Sequence, residues 1–426
     1  MFLKSMYYTL QMMYNQWRPR VEIEELQVKR LKYIVDYAYR NTPFYHRTFK
    51  KAGIHPSDIQ SLNDLKKIPL TNKDEILTCR EDIVVKGYSE KNSFKVTTSG
   101  SSGRMLEILQ DMRSVEANSA SVNRAYRAMG RRLFKDRIAY IRHQSIASLE
   151  QFQGKLLELV SKTIGDSLWL PSHLDEDAMI EKLRAYDPTV ITSYPSSLYL
   201  VAKRIKERGI EDLRPRYVMS GGELLTEENR SFLRDVFQCD VFDFYGAYEL
   251  MVVAWECSHH GMHMDADNNI LEFIRDGEPV APGEPGEIVG TNLWYRAMPI
   301  IRYQLGDIAS YRDEECTCGR GLPVMKMVEG RKDDYLILPS GRVVGPRAVK
   351  PIIMTFPEVD KLRIVQEKKD LILIQLVEKT EFTRIEELKQ KIRDVLREDV
   401  ELRVELVDDI PKVSGKLRAV FSKVVS

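Results

Sequence analysis

The run Thr97-Thr98-Ser99-Gly100-Ser101-Ser102-Gly103-Arg104 packs hydroxyls, two glycines and a cation into one short stretch. Small hydroxyl residues and glycines let backbone N–H groups and side-chain oxygens wrap a chain of phosphates, and Arg104 adds positive charge. No Gly-Lys-Ser/Thr follows, so this is not a Walker A loop. Taken alone, it reads as a solvated Ser/Gly linker. Its company changes that reading. Ser220-Gly221-Gly222-Glu223-Leu224 comes next, then Asp243-Phe244-Tyr245-Gly246-Ala247-Tyr248-Glu249 and Arg302-Tyr303-Gln304-Leu305-Gly306-Asp307. Gly330-Arg331-Lys332-Asp333-Asp334 and Pro411-Lys412-Val413-Ser414-Gly415-Lys416 complete the order. Singly, Asp307 is a turn residue, Asp333-Asp334 a helix cap and Lys416 a solvated lysine. Those separate readings do not explain the succession. A second set, Cys257-x5-His263 with Cys316-x-Cys318-Gly319, offers three thiolates and one imidazole, the composition of a tetrahedral structural zinc site. The Cys-x-Cys spacing is tighter than usual, His259 and His260 are rival ligands, and free cytosolic thiols are the alternative.

The ordered motifs resemble the adenylate-forming superfamily of acyl-CoA synthetases, peptide-synthetase adenylation domains and luciferases. Pro43-Phe44-Tyr45 and Ile68-Pro69-Leu70-Thr71-Asn72-Lys73, in the run from Pro43 to Leu77, are similar to the phenylacetate–CoA ligase branch. That branch includes relatives associated with capsular polysaccharide synthesis. The resemblance spans nearly the whole chain. It implies an α/β fold whose large N-terminal domain, residues 1–330, holds mixed and parallel sheets, a distorted β-barrel and the ATP and acyl sites. A small mobile α+β lid, residues 331–426, would carry the catalytic lysine. The implied reaction is attack of an aryl or acyl carboxylate on Mg2+-bound ATP to give an acyl-adenylate, then transfer to a thiol. CoA is the first choice of acceptor. An amino or fatty acid passed to a sugar or carrier during polysaccharide assembly is the alternative among enzymes, and a nucleotide-binding protein with lost catalysis the alternative outside them.

Position by position, the resemblance implies that Thr97 to Arg104 grip the β- and γ-phosphates. Gly221, Gly222 and Glu223 would line one face of the adenine, and Tyr245 with Gly246 would stack on it. Asp243 would accept from the adenine amino group, Glu249 would hold Mg2+, and Asp307 would take both ribose hydroxyls with its two acceptor oxygens. Arg331 would reach ribose or phosphate, Asp333 would be the hinge, and Lys416 would meet the attacking carboxylate and the α-phosphate. The resemblance also inclines Cys257, His263, Cys316 and Cys318 toward structural Zn2+, joining the segment after Glu249 to the one before Arg331. Two departures stand out. Tyr248 occupies the place of the usual Thr or Ser before the glutamate, and Arg104 that of the usual Lys, keeping the charge in a planar fork. His143 reads as a satisfied core histidine, and Tyr194-Pro195-Ser196-Ser197 as a strand-to-helix turn near the acyl pocket.

These residues need elements to place them. Asp136–Ile141, Thr189–Thr192, Arg216–Met219 and Val241–Tyr245 read as strands, alternating with helices over Ser197–Glu207 and Glu227–Phe237; that order predicts largely parallel sheet. Asp276–Gly286 is a turn leading into a strand at Glu287–Gly290. Beyond Gly330, β runs at Leu371–Leu376 and Leu402–Leu406 flank a helix at Ile385–Arg397, and nearer the start Glu22–Arg40 reads as an amphipathic helix stopped at Asn41-Thr42-Pro43. A chain of 426 residues predicts two or three domains. Its 64 Lys plus Arg nearly cancel 63 Asp plus Glu, which leaves no global field for nucleic acid. Five scattered cysteines do not form a disulfide framework and point to the cytoplasm. No signal peptide or transmembrane run is read. Tyr7, Leu10, Met13, Tyr14 and Trp17 form an apolar face expected to pack on the protein itself rather than on a membrane or partner. A homodimer is left open.

Overall fold

Strands Val190–Ser193 and Tyr217–Gly221 are buried at every position, which is what strands covered on both faces require. They lie at the centre of the larger part of a computed structural model. The structure describes residues 2–97, 106–132, 135–142, 167–172, 174–331, 336–340, 343–344, 349, 352–353, 355–396, 398–410 and 420–424. Two compact units divide the chain: Met1–Leu305 with Ala309–Met327, and Gly306–Ile308 with Val328–Ser426.

In the first unit a short antiparallel pair, β1 (Phe94–Thr97) and β2 (Glu107–Gln110), stands apart. The main sheet is assembled from β3 (Ile138–Arg142), β4 (Ser167–Pro171), β5 (Val190–Ser193), β6 (Tyr217–Gly221), β7 (Asp240–Ala247), β8 (Met251–Glu256) and β9 (Met262–Met264). It continues through β10 (Asn269–Arg275), β11 (Glu278–Pro279), β12 (Gly286–Asn292), β13 (Tyr303–Arg312) and β14 (Val324–Arg331). Its twelve strands run in the order β11-β10-β12-β13-β14-β9-β8-β7-β6-β5-β3-β4. From β4 to β7 all neighbours are parallel, and at β7–β8 the pairing turns antiparallel. The α/β reading of the sequence holds, with strand and helix ends within a few residues of expectation and Glu227–Phe237 recovered unchanged.

The unit's helices, five of which pack on the two faces of the parallel half, follow in chain order. They are α1 (Phe2–Asn15), α2 (Arg20–Asn41), α3 (Pro43–Ala52), α4 (Lys73–Thr78), α5 (Arg80–Ile83), α6 (Met112–Ala128), α7 (Glu176–Tyr186), α8 (Pro195–Glu207) and α9 (Glu227–Phe237). On one face Leu183, Leu198, Val201 and Leu233 from α7, α8 and α9 pack on Ile191, Val218 and Val241. On the other, Ile23 from α2 and Ala125 and Tyr126 from α6 pack on Val190, Tyr217, Met219 and Phe242. Burial of this apolar surface is the main force holding the layers together.

The apolar face of α1 does not pack as expected. Tyr7, Leu10, Tyr14 and Trp17 each keep about half or more of their surface exposed, while the opposite face is buried. The reason is polar. The buried Arg124 guanidinium on α6 binds both Asp265 and Asp267 and donates to the Met12 carbonyl at 3.2 Å, and Asn15 Nδ2 donates to Asp267 at 3.0 Å. A buried charge cluster needs every partner it has, and those partners fix which side of α1 faces inward.

The second unit is a four-stranded sheet, β19-β18-β17-β20, formed by β17 (Val359–Lys368), β18 (Leu371–Glu378), β19 (Glu401–Leu406) and β20 (Val420–Ser422). A separate pair, β15 (Leu336–Ile337) and β16 (Val343–Val344), and a tenth helix, α10 (Ile385–Leu396), complete the elements described there. Leu388, Ile392 and Leu396 share a core with Ile364, Ile372, Ile374 and Leu376. This is the small α+β unit that the Lys/Glu-rich stretch beyond Gly330 predicts.

Candidate functional site

β6 and β7 are parallel neighbours, with Ser220 opposite Asp243 and Gly221 opposite Phe244. Two motifs more than twenty residues apart therefore meet at the carboxyl ends of adjacent strands, where open α/β sheets bind ligands. Packing dictates the glycine at 221, since a Cβ there would stand 2.7 Å from the Phe244 carbonyl oxygen. Gly222 adopts φ 84°, a left-handed conformation that glycine takes without steric cost. Glu223 turns to α8, accepting from the Ser196 N–H and hydroxyl, each at 3.0 Å. The expected strand-to-helix turn at Tyr194-Pro195 is present, with Pro195 in the first turn of α8.

Asp243 is buried. Its Oδ1 accepts from the Ser220 hydroxyl at 2.8 Å and from the Phe244 N–H at 3.0 Å. Burial first, then the charge of Glu256, pushes its carboxyl up to about 7. Glu256 accepts from the Asp243 N–H at 2.8 Å and is held by both terminal nitrogens of Arg230, at 2.8 and 3.0 Å. Tyr245 is half-buried and Gly246 exposed, at a register shift in the β7–β8 pairing. Glu249 lies in the turn between these strands, half-buried, with the Tyr303 hydroxyl 3.4 Å from its Oε1. A half-buried carboxylate supplies the hard oxygen that Mg2+ takes, with nucleotide phosphates completing such a site.

Thr97 ends β1 and pairs with Glu107. The rest of the hydroxyl-rich run, Thr98, Ser99, Gly100, Ser101, Ser102, Gly103 and Arg104, lies outside the described residues, as do His143, Asp333 and Lys416. Asp307 is half-buried in β13 after Gly306, whose φ is 75°, and belongs with the second unit. Arg331 is the last residue of β14. Four residues that the sequence did not flag join the β6–β8 region: Arg230 and Glu256 beneath Asp243, and Gln110 and Tyr295 beside the Glu249 turn.

Cys257, His263, Cys316 and Cys318 come together with all four donor atoms within 4.8 Å of one another. Cys257 Sγ lies 3.7 Å from Cys316 Sγ, and Cys318 Sγ 3.2 Å from His263 Nε2. Thiolates bound about 2.3 Å from a tetrahedral zinc stand about 3.8 Å apart, so the donor set fits the ion. His263 Nδ1 donates to the Leu322 carbonyl at 3.0 Å, which leaves Nε2 bare toward the thiols, the outer contact that orients a ligating imidazole. Burial lowers the His263 imidazole to about 4, keeping it neutral, and raises the Cys257 thiol to about 12 in the absence of an ion. The rival histidines point elsewhere: His259 Nδ1 is 3.0 Å from the Thr317 hydroxyl, and His260 stacks on Phe242 near Glu256. A Cβ on Gly261 would stand 2.5 Å from Cys316 Sγ, so the turn can close over the cluster only with glycine there.

A model of the CapK C-terminal domain matches residues 336–423. Phenylacetate–coenzyme A ligase from Thermus thermophilus is 29% identical over 350 residues, 80% of this chain and 77% of that protein. The enzyme of the same name from Escherichia coli is 26% identical over 428 residues, 94% of each chain. Among solved structures, 2-hydroxyisobutyryl-CoA ligase in its postadenylation state with an acyl-AMP superposes with a TM-score of 0.79 at 20% identity, covering 96% of this chain and 91% of that one. The same ligase has also been solved in a thioesterification state.

Proposed function

We propose that this chain, a relative of the phenylacetate–coenzyme A ligases with the fold of the adenylate-forming enzymes, activates a carboxylic acid with ATP and transfers the acyl group to a thiol, coenzyme A first. The observation that carries the reading is the meeting of Gly221-Gly222, Asp243, Tyr245-Gly246 and Glu249 at the ends of neighbouring strands β6 and β7.

In this reading a substrate carboxylate oxygen attacks the α-phosphorus of ATP, the bond to the β-phosphate breaks, and pyrophosphate leaves. Asp243 accepts from the adenine amino group, Tyr245 stacks on the base and Asp307 takes the ribose hydroxyls. Thr97 to Arg104 hold the leaving phosphates, and Lys416 draws the two reacting anions together, combining orientation with charge stabilisation. Mg2+, held by Glu249, would neutralise charge on the phosphates. A thiolate then attacks the acyl carbon and AMP leaves. The cysteine–histidine cluster takes Zn2+ in a structural role, because four protein ligands leave no open position. Reduced zinc-bound thiolates suit a cytoplasmic enzyme.

The test is ATP–pyrophosphate exchange across a panel of aryl, aliphatic and amino acids, followed by CoA consumption with the acid that exchanges. Exchange with CoA consumption supports the ligase. Exchange without it favours a second reading, transfer to a carrier or sugar in capsular polysaccharide assembly, which the match to the CapK C-terminal domain motivates. No exchange with any acid, alongside ATP binding, would leave a nucleotide-binding protein.

A further inference from the structure

The turn that carries Glu249 is pinned from three sides. β7 and β8 close with Ala247 opposite Met251, so Tyr248, Glu249 and Leu250 form the loop, and Leu250 N–H donates to the Ala247 carbonyl at 3.0 Å. Met251 takes φ 67°, a left-handed position that hairpins of this length usually give to glycine. A side chain there is strained unless its surroundings hold it. On the first side, the Tyr295 hydroxyl donates to the Tyr248 carbonyl at 2.6 Å and accepts from Gln110 Nε2 at 2.6 Å. On the second, Asn292 Nδ2 donates to the Leu250 carbonyl at 3.2 Å, while its Oδ1 accepts from the N–H groups of Trp294 and Tyr295 at 2.8 and 2.9 Å. On the third, the fully buried Leu250 side chain fills the space above Gly290, where an added Cβ would stand 2.1 Å from Leu250 Cδ1.

An ordinary three-residue hairpin needs none of this. Burying an asparagine amide and a tyrosine hydroxyl costs free energy unless each finds partners. Here both are aimed at the carbonyls of Glu249's two neighbours, Tyr248 and Leu250. The peptide unit before Glu249 and the one after Leu250 are thereby fixed, the Leu250 N–H bond to Ala247 holds the unit between them, and the Glu249 carboxylate stays half-buried. Tyr295 is a dependable donor, because burial, with the charge of Glu249 adding to it, raises its phenol well above the ordinary tyrosine range.

We propose that Tyr295, Asn292 and Gly290 are positioning residues that hold the β7–β8 turn so that Glu249 meets the nucleotide's divalent cation already oriented. The proposal rests on the reading of Glu249 as a metal ligand. A carboxylate fixed in advance loses less conformational freedom when the cation arrives, so the clamp should appear in the metal-dependent part of nucleotide affinity.

The experiment measures ATP affinity of the full-length protein by calorimetry, with excess Mg2+ and with EDTA, and takes the ratio as the Mg2+ enhancement. Tyr295→Phe removes the hydroxyl and with it both of its hydrogen bonds, the one to the Tyr248 carbonyl included, and should lower the enhancement about two- to tenfold, leaving affinity in EDTA unchanged. Glu249→Ala should abolish the enhancement, and adding Tyr295→Phe to it should do nothing further, the signature of two residues acting through one contact. Gly290→Ala should also lower the enhancement by displacing Leu250, and Leu250→Val in that background should restore part of it. This pair decides the matter should Tyr295→Phe fail to fold. Tyr295→Phe with a lowered melting temperature and wild-type enhancement would overturn the clamp and leave Glu249's role standing. Wild-type enhancement in Glu249→Ala would overturn the metal-ligand reading, and the clamp with it.

Discussion

In the proposed reading Asp243 accepts a hydrogen bond from the adenine amino group while sitting where burial and Glu256 push its carboxyl up to about 7, against an ordinary value of 3.8. A raised folded value favours the neutral acid, so the stability it contributes is complete below about pH 4 and is lost as pH rises through about 7. Adenine binding runs the other way, since the ionised carboxylate is the better acceptor. ATP affinity should therefore climb as pH rises toward 7 and level off above it, and Asp243→Asn, an acceptor that does not titrate, should flatten the profile. Calorimetric titrations between pH 5.5 and 8.5 check this, and a wild-type profile already flat would remove Asp243 from the adenine. Lys416 carries a second prediction. An ammonium bridging two repelling anions is commonly worth a hundredfold or more in rate, roughly 3 kcal/mol. Lys416→Ala should nearly abolish acid-dependent pyrophosphate exchange, retain ATP binding, and still pass a supplied acyl-adenylate to CoA; wild-type exchange would make it a surface lysine. Residues named by motif, such as Asp243 and Glu249, were legible in the sequence as candidates through the order of their motifs, and the structure brings those motifs together along β6 and β7. Tyr295, Asn292 and Gln110 were not. Gln110 meets Tyr295 across a separation of 185 residues, and nothing near either residue in sequence announces the pairing.

Among the elements, parallel strands and covering helices were readable because buried strands and amphipathic helices leave distinct periodicities. The face of α1 was misjudged for a reason of the same kind. Its aromatic stripe looked like the inward side, but the polar demands of Arg124, Asp265 and Asp267 decided the docking, and those are satisfied by Asn15 and the Met12 carbonyl. Which histidine stands with the three cysteines was also hidden from spacing. It is settled by β9, where His263 sits between Met262 and Met264 and turns toward Cys318, whereas His259 and His260 lie in the preceding turn. The cluster ties the β8–β9 turn to the segment before β14. Protein purified without added metal should contain about one Zn2+ per chain by elemental analysis, four-coordinate as structural sites are. Cys316→Ser should lower both zinc content and melting temperature, with chelation doing the same to the wild type. A metal-free protein of unchanged stability would leave the four residues as free thiols.

Two half-reactions place incompatible demands on a single arrangement of the whole molecule. In the proposed reading adenylation needs Lys416 at the α-phosphate, and thioester formation needs that approach cleared so that a thiol can reach the acyl carbon. The chain is built as two compact units, passing briefly into the second at Gly306–Ile308 and for good at Val328. In the same proposed reading the switch lies in the few residues after Arg331, with Asp333 as the hinge, since hinges are short segments whose residues absorb large changes in φ and ψ. Proline fixes φ near −65° and removes an N–H, so Asp333→Pro should trap one arrangement. Adenylation is the step that must come first, and a protein folded with the substituted hinge should still perform it. Pyrophosphate exchange should stay near the wild-type rate. CoA-dependent thioester formation should fall about tenfold or more, an added barrier of at least ~1.4 kcal/mol. Asp333→Ala, which leaves the backbone free, should lose much less of the second step, separating a hinge effect from loss of the carboxylate. Equal loss of both steps in Asp333→Pro, or equal damage from alanine and proline, would move the hinge elsewhere in the chain.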